Sequence, residues 1–496
     1  MLLIFGTLLV VAGCGGEPAP VATAPPAKAA PAKKAIAKKK APPAKLPDEQ
    51  RAPTERPHPL NERDQPGMLG DLLKKKPGEE EINFPDSAPL PTIDEEKVAA
   101  QGIRKLVGKH LTLYTDVPSS PEIDELPRVF DAAVPQWQAY FHVADAKVAK
   151  WQVWGYLMQD KAKFQAAGLY PDDLPEFAHG YQRGHEFWLN EQPTTYYRRH
   201  LMLHEGTHAA MYLWLGGAGP PWYSEGMAEL FGTHRWADGK LTTNYLPRSK
   251  TEVEGWGRVK IIKDAFAADK ALTIGEVLKL PPDAHKQTPA YAWSWAAAKF
   301  FDSHPRYQQR FRELSQQTAD RTTEFSTKFI TALKDDLPTL QDEWQLFIGD
   351  CEYGYDIARN TLAVKPVVML PAGGGAVEIA ADHAWQSSGF ELEANKTYRL
   401  TANGRYLLGK EPKPWWCEPG GVTVRYHRGQ PLGMLLAEIR NDANPQGLTR
   451  LLKPVPIGLD AEFTPAISGT LWLKINDHEA EFADNAGTLK VRISPE

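Results

Sequence analysis

Two neighbouring stretches decide how this chain is read: residues 196–214, YYRRHLMLHEGTHAAMYLW, and residues 220–231, PPWYSEGMAELF. The first carries apolar residues at Leu201, Leu203, Ala209, Met211 and Leu213 and predicts a helix that ends at Gly216-Gly217, with Pro220-Pro221 forbidding continuation. A helix turns once every 3.6 residues, so His204 and His208 stand one above the other on a single face. Two neutral imidazoles at that spacing hold one Zn²⁺ at about 2.0 Å each. Glu205 beside them is placed to take a proton from an attacking water. Seventeen positions after His208 comes Glu225. With Ser224 as the predicted N-cap, a short second helix runs through Glu225 and Glu229 to Gly232. A carboxylate from that helix completes three protein ligands and leaves a coordination position open, as a catalytic zinc requires. Glu229, one turn beyond Glu225, reads either as the partner of a ligand histidine or as the ligand itself.

The ends of the chain set the context. Residues 1–13, MLLIFGTLLVVAG, are a short apolar run, which predicts an export signal rather than a membrane span. Val11-Ala12-Gly13-Cys14 resembles the bacterial lipobox. That resemblance implies lipidation at Cys14 and anchorage on the periplasmic or extracellular face of the cell envelope. Residues 14–94 read as a tether. Its stretch 18–47 is dominated by Pro, Ala and Lys, with seven lysines and no acid until Asp48, too little apolar surface to offset ordering entropy. Cys351 and Cys417 are the remaining cysteines, and an oxidising compartment would allow a disulfide between them. A formal net charge of -5 over 496 residues gives no sign of a nucleic-acid partner.

Residues 95–360 are predicted to form one α+β domain. Residues 109–115 and 150–158 alternate as strands, 123–141 is an amphipathic helix, and 169–190 holds further strands or a loop over the site. Two more helices are predicted over 290–301 and 307–314, giving a small sheet beside a mostly helical half. HEGTH followed by PPWYSEGMAELF resembles the DUF1570 and peptidase-MA-like group of metallopeptidase-like proteins within the gluzincins. The resemblance implies a zincin fold, zinc held by His204, His208 and Glu225, and Glu205 as general base. It also matches Tyr291-Ala-Trp-Ser-Trp295 to the group's Tyr-x-x-Ser helix, with Tyr291 donating to the oxyanion; packing against the core is the other reading of that ring. Trp222 and Tyr223 are read as walls of the cleft.

After residues 361–375, read as a linker, the pattern changes. Residues 376–496 alternate in short strands at 390–393, 397–401, 422–426, 469–475 and 489–493, separated by Gly, Pro and Asn turns, and predict a jelly-roll β-sandwich. Segments 385–404 and 469–493 resemble the galactose-binding-like sandwiches related to galactophilic lectins. The resemblance places calcium at Asn476, Asp477, Asp484 and Asn485, with oxygen donors that suit that ion. The same Asp-Asn pairs read as turn formers, and a structural sandwich is the plainer reading. Trp415-Trp416 either stack on a sugar or pack.

Two functions therefore compete. One is a lipid-anchored zinc peptidase acting on an envelope or extracellular peptide or protein, with an endopeptidase favoured because no exopeptidase amine-binding motif stands upstream. The other is a non-catalytic envelope lipoprotein that keeps a zincin core and binds glycan or protein through its sandwich.

Overall fold

The central sheet of the N-terminal half arises from strands whose alternate residues face two different apolar layers. In the computed structural model, which describes residues 90–441 and 447–496, strands β1 (Arg104–Val107), β2 (Leu111–Thr115), β3 (Val153–Met158), β4 (Gly180–Arg183) and β5 (Glu186–Asn190) pair in the order β1-β2-β3-β5-β4. β2, β3 and β5 run parallel to one another, and β4 pairs antiparallel with β5 at the edge. Leu111, Leu113, Val153, Phe187 and Leu189 face the main helical core. Tyr114, Tyr156, Met158 and Trp188 face a smaller layer built around Phe164. This two-residue period is what a strand buried on both faces requires.

Helix α1 (Leu126–Phe141) and helix α2 (Thr195–Leu215) pack on the first face. The predicted helix over 123–141 is interrupted at Glu125, because a separate turn, Pro121–Asp124, precedes α1. α2 starts where the Thr194 side chain accepts from Tyr197 N at 3.1 Å and stops at Gly216, whose φ of 75° is left-handed. Helices α3 (Pro221–Gly232), α4 (Arg258–Ala267), α5 (Thr288–Ser303) and α6 (Leu337–Gly349) follow, with a short helix Gln308–Arg312 and a further one, Thr323–Ala332, between α5 and α6. No helix of the described residues is long and apolar enough to cross a membrane.

The C-terminal part is rich in β-structure. Strands β6 (Val368–Met369), β7 (Gly375–Ala380), β8 (Gln386–Leu392), β9 (Tyr398–Asn403), β10 (Leu435–Arg440), β11 (Val455–Pro456), β12 (Asp460–Phe463), β13 (Gly469–Ile475) and β14 (Thr488–Pro495) form two sheets. Their orders are β11-β10-β13-β8-β6 and β12-β9-β14-β7. Leu435, Ala437, Ile439, Leu471, Leu473 and Ile475 from one sheet and Leu400, Leu489, Val491 and Ile493 from the other share one core. The strand predicted at 422–426 forms instead with Gln430–Leu432 as a separate two-stranded hairpin.

β10 and β13 are buried at every position, on both faces. The reason is α6, which lies between the helical core and the outer face of the five-stranded sheet. Its apolar side feeds the helical core through Leu340, Trp344, Phe347 and Ile348, while Leu346 meets Leu362, Trp385, Leu451 and Trp472. Its polar side chains are individually satisfied. Asp342 accepts from Arg440 of β10, Gln345 accepts from Thr449 N at 2.5 Å and donates to Gly447 O at 3.0 Å, and Glu343 accepts from Leu362 N at 2.9 Å. Buried polar groups with full partners specify one docking arrangement. Cys351 and Cys417 are both buried and both free, each in a different core, so of the two possibilities left open by the sequence the structure has the thiols apart.

Asp342 and Arg440 are both almost wholly buried. Asp342→Ala leaves the guanidinium with its main ion partner removed, and chemical denaturation is expected to show a loss of about 3–5 kcal/mol. An unchanged unfolding midpoint would mean that the two parts are not joined through this pair.

Candidate metal centre

α2 presents the face that carries His204 and His208 to α3 because both helices pack tightly with the elements behind them. A Cβ at Gly206 would stand 2.5 Å from Phe130 and 2.9 Å from Trp137, so glycine lets α2 press against α1. α3 then crosses in front of α2 and brings Glu225 to the two histidines. His204 Nε2 lies 3.2 Å from His208 Nε2 and 3.2 Å from Glu225 Oε2, and His208 Nε2 lies 3.4 Å from the same oxygen. Three ligand atoms around a tetrahedral cation at about 2.0 Å would be about 3.3 Å apart. The observed triangle has that size. Glu225 Oε2 is buried and has no hydrogen-bond partner, so its lone pairs face the two imidazoles.

A second set of donors, His200, His204 and Glu229, is also close enough to hold an ion. Its charge argues against it. Arg258, at the start of α4, donates from Nε to Glu229 Oε2 at 3.0 Å and from Nη2 to Oε1 at 2.9 Å. A cation there would face a guanidinium. Glu229 instead stands 3.3 Å from His200 Nε2 and 3.5 Å from His204 Nδ1, behind the ring whose Nε2 points to the cleft. Arg258 thus holds Glu229 between the His200 and His204 rings. Burial would raise both acids, but His208 and His204 hold Glu225 below the ordinary carboxylate value, and Arg258 with His200 holds Glu229 well below it. Burial works against a charge on His204, yet Glu225 and Glu229 more than reverse it and raise the ring well above the usual imidazole value. The field at the centre of this cluster favours positive charge.

Glu205 is buried beside the triangle, and burial raises its carboxyl despite the two imidazoles. Edge strand β4 closes over it: a Cβ at Gly180 would collide with Glu205 Oε1. Residues 169–190 therefore supply both strands and the cover. Tyr291, in the first turn of α5, has its ring centroid 5.9 Å from that of His204, and burial keeps its hydroxyl protonated far above neutral pH.

Ser224 is not the N-cap. α3 begins at Pro221 with Pro220 as the cap, since proline suits the first helical turn, and Ser224 falls inside the helix. Its Oγ lies 3.3 Å from His208 Nδ1, on the side of that ring opposite the triangle. Trp222 and Tyr223 are not cleft walls either; both are fully buried and pack against Phe325 on the far side of α3. His200, Arg258 and His285 were not singled out from the sequence. His200 had a signal, four residues before His204 on the same helix. His285 had none; its Nε2 is 2.9 Å from Ser294 Oγ and its ring meets Tyr291 edge-on at 5.2 Å.

In the C-terminal part, two of the four residues expected to hold calcium, Asp477 and Asn485, are in contact. Asn476 Nδ2 donates to the carbonyls of His427, Gln430 and Pro431, each at 3.0 Å. Asp477 accepts from Asn485 Nδ2 at 2.8 Å and from His478 N at 2.7 Å, and burial raises its carboxyl to about 6. Asp484 is exposed on the next turn. Cys14 lies outside the described residues.

No family model matches the chain and no curated protein matches it. Among solved structures, a chain described as the EclA N-terminal domain, a PllA-like lectin, is similar over 24% of this chain and 95% of its own length, at 21% identity and a TM-score of 0.19. At that score it carries no argument about this protein.

The two acids can be separated by experiment. Glu225→Gln is expected to abolish tight binding of one equivalent of Zn²⁺, whereas Glu229→Gln should weaken it by about 10–100-fold. Equilibrium dialysis against a metal indicator measures both. The reverse order would make Glu229 the ligand.

Proposed function

We propose that this protein is a zinc-dependent peptidase of the gluzincin type, with a zincin-like N-terminal half and a jelly-roll sandwich after it, acting on peptides or proteins at the bacterial cell envelope, where Cys14 would anchor it by lipid. The observation that carries the reading is the triangle of His204 Nε2, His208 Nε2 and Glu225 Oε2, with sides of 3.2, 3.2 and 3.4 Å, and a buried Glu205 next to it. Nitrogen and carboxylate donors of this kind suit zinc.

Zinc, when bound, supplies Lewis acidity toward the scissile carbonyl and the attacking water. The chain does the rest. Glu205 takes the proton of the attacking water and delivers it to the leaving amine. Tyr291, kept protonated by burial, donates a hydrogen bond to the developing oxyanion. Glu229, fixed by Arg258, orients the His204 ring from behind. β4, an edge strand with Gly180 against Glu205, lies alongside the reacting groups.

Glu205→Gln is expected to keep one equivalent of zinc and lose about 10²–10⁴-fold in peptide hydrolysis, measured on one sample by metal analysis and digestion of a peptide library with and without chelator. Gly180→Ala should do the same more mildly, by about 10²-fold, because the added methyl displaces the Glu205 carboxylate. Full activity in either variant would remove Glu205 from the reaction.

A second reading, glycan binding through the C-terminal part, is favoured by Trp416. The residue is 47% exposed, with the Arg405 guanidinium over its ring at 5.1 Å from the centroid, and an exposed aromatic side chain is of the kind that stacks on sugar rings. Calcium at Asp477 and Asn485 belongs to this reading. Wild-type protein is expected to mark a subset of a glycan array and Trp416→Ala to lose it; a blank array with calcium present would rule the reading out.

A further inference from the structure

Away from the metal centre, a cavity of about 570 Å³ opens between α5, the turn 353–358 and the turn of the C-terminal part that carries Ala480 and Ala483. That volume is in the range of small-molecule sites. Leu246, Tyr353, Ile357 and Ala480 give it apolar walls, and Lys299, Ser303 and Arg248 give it polar ones.

Lys299 is the anomaly. It is only 7% exposed, and its Nζ donates to Asn244 O and Asn244 Oδ1, both at 2.9 Å. Both acceptors are neutral, and an ammonium has three protons to give. Among the described residues no carboxylate forms an ion pair with it. Asp302, the acid whose charge reaches it, is engaged elsewhere: Oδ1 accepts from Tyr140 at 3.0 Å and Arg312 at 2.8 Å, and Oδ2 from Asn244 at 2.6 Å. Buried charges are paired as a rule. Buried Arg258 meets Glu229 and buried Arg440 meets Asp342, whereas buried Lys474, also without an ion pair among the described residues, lies over the Trp385 ring at 5.1 Å and lines no such cavity. Burial holds the Lys299 ammonium down to about 8, so it is still charged at neutral pH. Arg248, also on the cavity wall and exposed, has no ion pair among the described residues either.

We propose that this cavity binds a small organic carboxylate with an apolar body, its anionic group against Lys299 and Arg248. The walls supply the apolar contact, and the ligand supplies the ion partner that Lys299 and Arg248 do not have among the described residues. A dianionic phosphate fits less well, because Asp356, itself held by Arg359 at 3.4 Å, also lines the cavity. The inference does not rest on the metal centre or on any peptidase activity.

The test uses the full chain stripped of metal, so that no carboxylate can ligate zinc in the other cleft. Calorimetric titration with 2-naphthoate is expected to give saturable binding of one equivalent. The neutral 2-naphthamide and inorganic phosphate should each bind about tenfold or more weakly. Lys299→Met and Arg248→Ala should each weaken 2-naphthoate by about tenfold or more. Arg248→Ala, at an exposed position, should leave the melting temperature unchanged, and it carries the test if Lys299→Met, which takes the donor from Asn244 O and Oδ1, lowers it. Four results would overturn the proposal: no binding of 2-naphthoate at millimolar concentration, equal binding of the amide, phosphate binding as tight as naphthoate, or naphthoate affinity untouched by both substitutions.

Discussion

Two imidazole nitrogens and one carboxylate oxygen are held within 3.4 Å of each other in a largely buried cleft. Lone pairs brought so close repel unless positive charge stands among them, and low dielectric magnifies the effect. The surrounding structure is organised to sustain that arrangement. Thr194 and Gly216 close the two ends of α2. Gly206 lets α2 seat against Phe130 and Trp137. Ser224 meets His208 from one side, and Glu229 meets His204 from the other.

Arg258 is the keystone of the rear of the site. With both Glu229 oxygens taken by one guanidinium, that acid is kept ionised and held behind the His204 ring. Glu225 alone is then left to face the two histidines. A bidentate pair of this kind has fixed geometry as well as charge, so the orientation of His204 depends on a residue 54 positions further along the chain.

The C-terminal part is bound to the helical half by the same physics with different residues. α6 presents Asp342, Glu343 and Gln345 to groups that satisfy each of them, while Leu346 closes a small apolar cluster with Trp385 and Trp472. β10 and β13 are consequently buried on both faces. Lys299 has no ion pair among the described residues, and it lies on the wall of a cavity.

Local periodicity made much of this readable in advance. The 3.6-residue repeat around His204 and His208 located α2, and strict alternation located β13 at 469–475, the same bounds that the fold adopts. Position along one helix also determined that both histidines share a face and that Glu205 lies beside them. Other features needed the tertiary structure: that Ser224 sits inside α3 against His208, that Gly180 of an edge strand meets Glu205, that Cys351 and Cys417 stay apart, and that Glu225 rather than Glu229 faces the cleft. Each of these depends on a contact between segments far apart in the chain. Spacing within one helix or strand carries the direction of its side chains but not the identity of what lies opposite, and here the opposing group, above all the Arg258 guanidinium, sets the role.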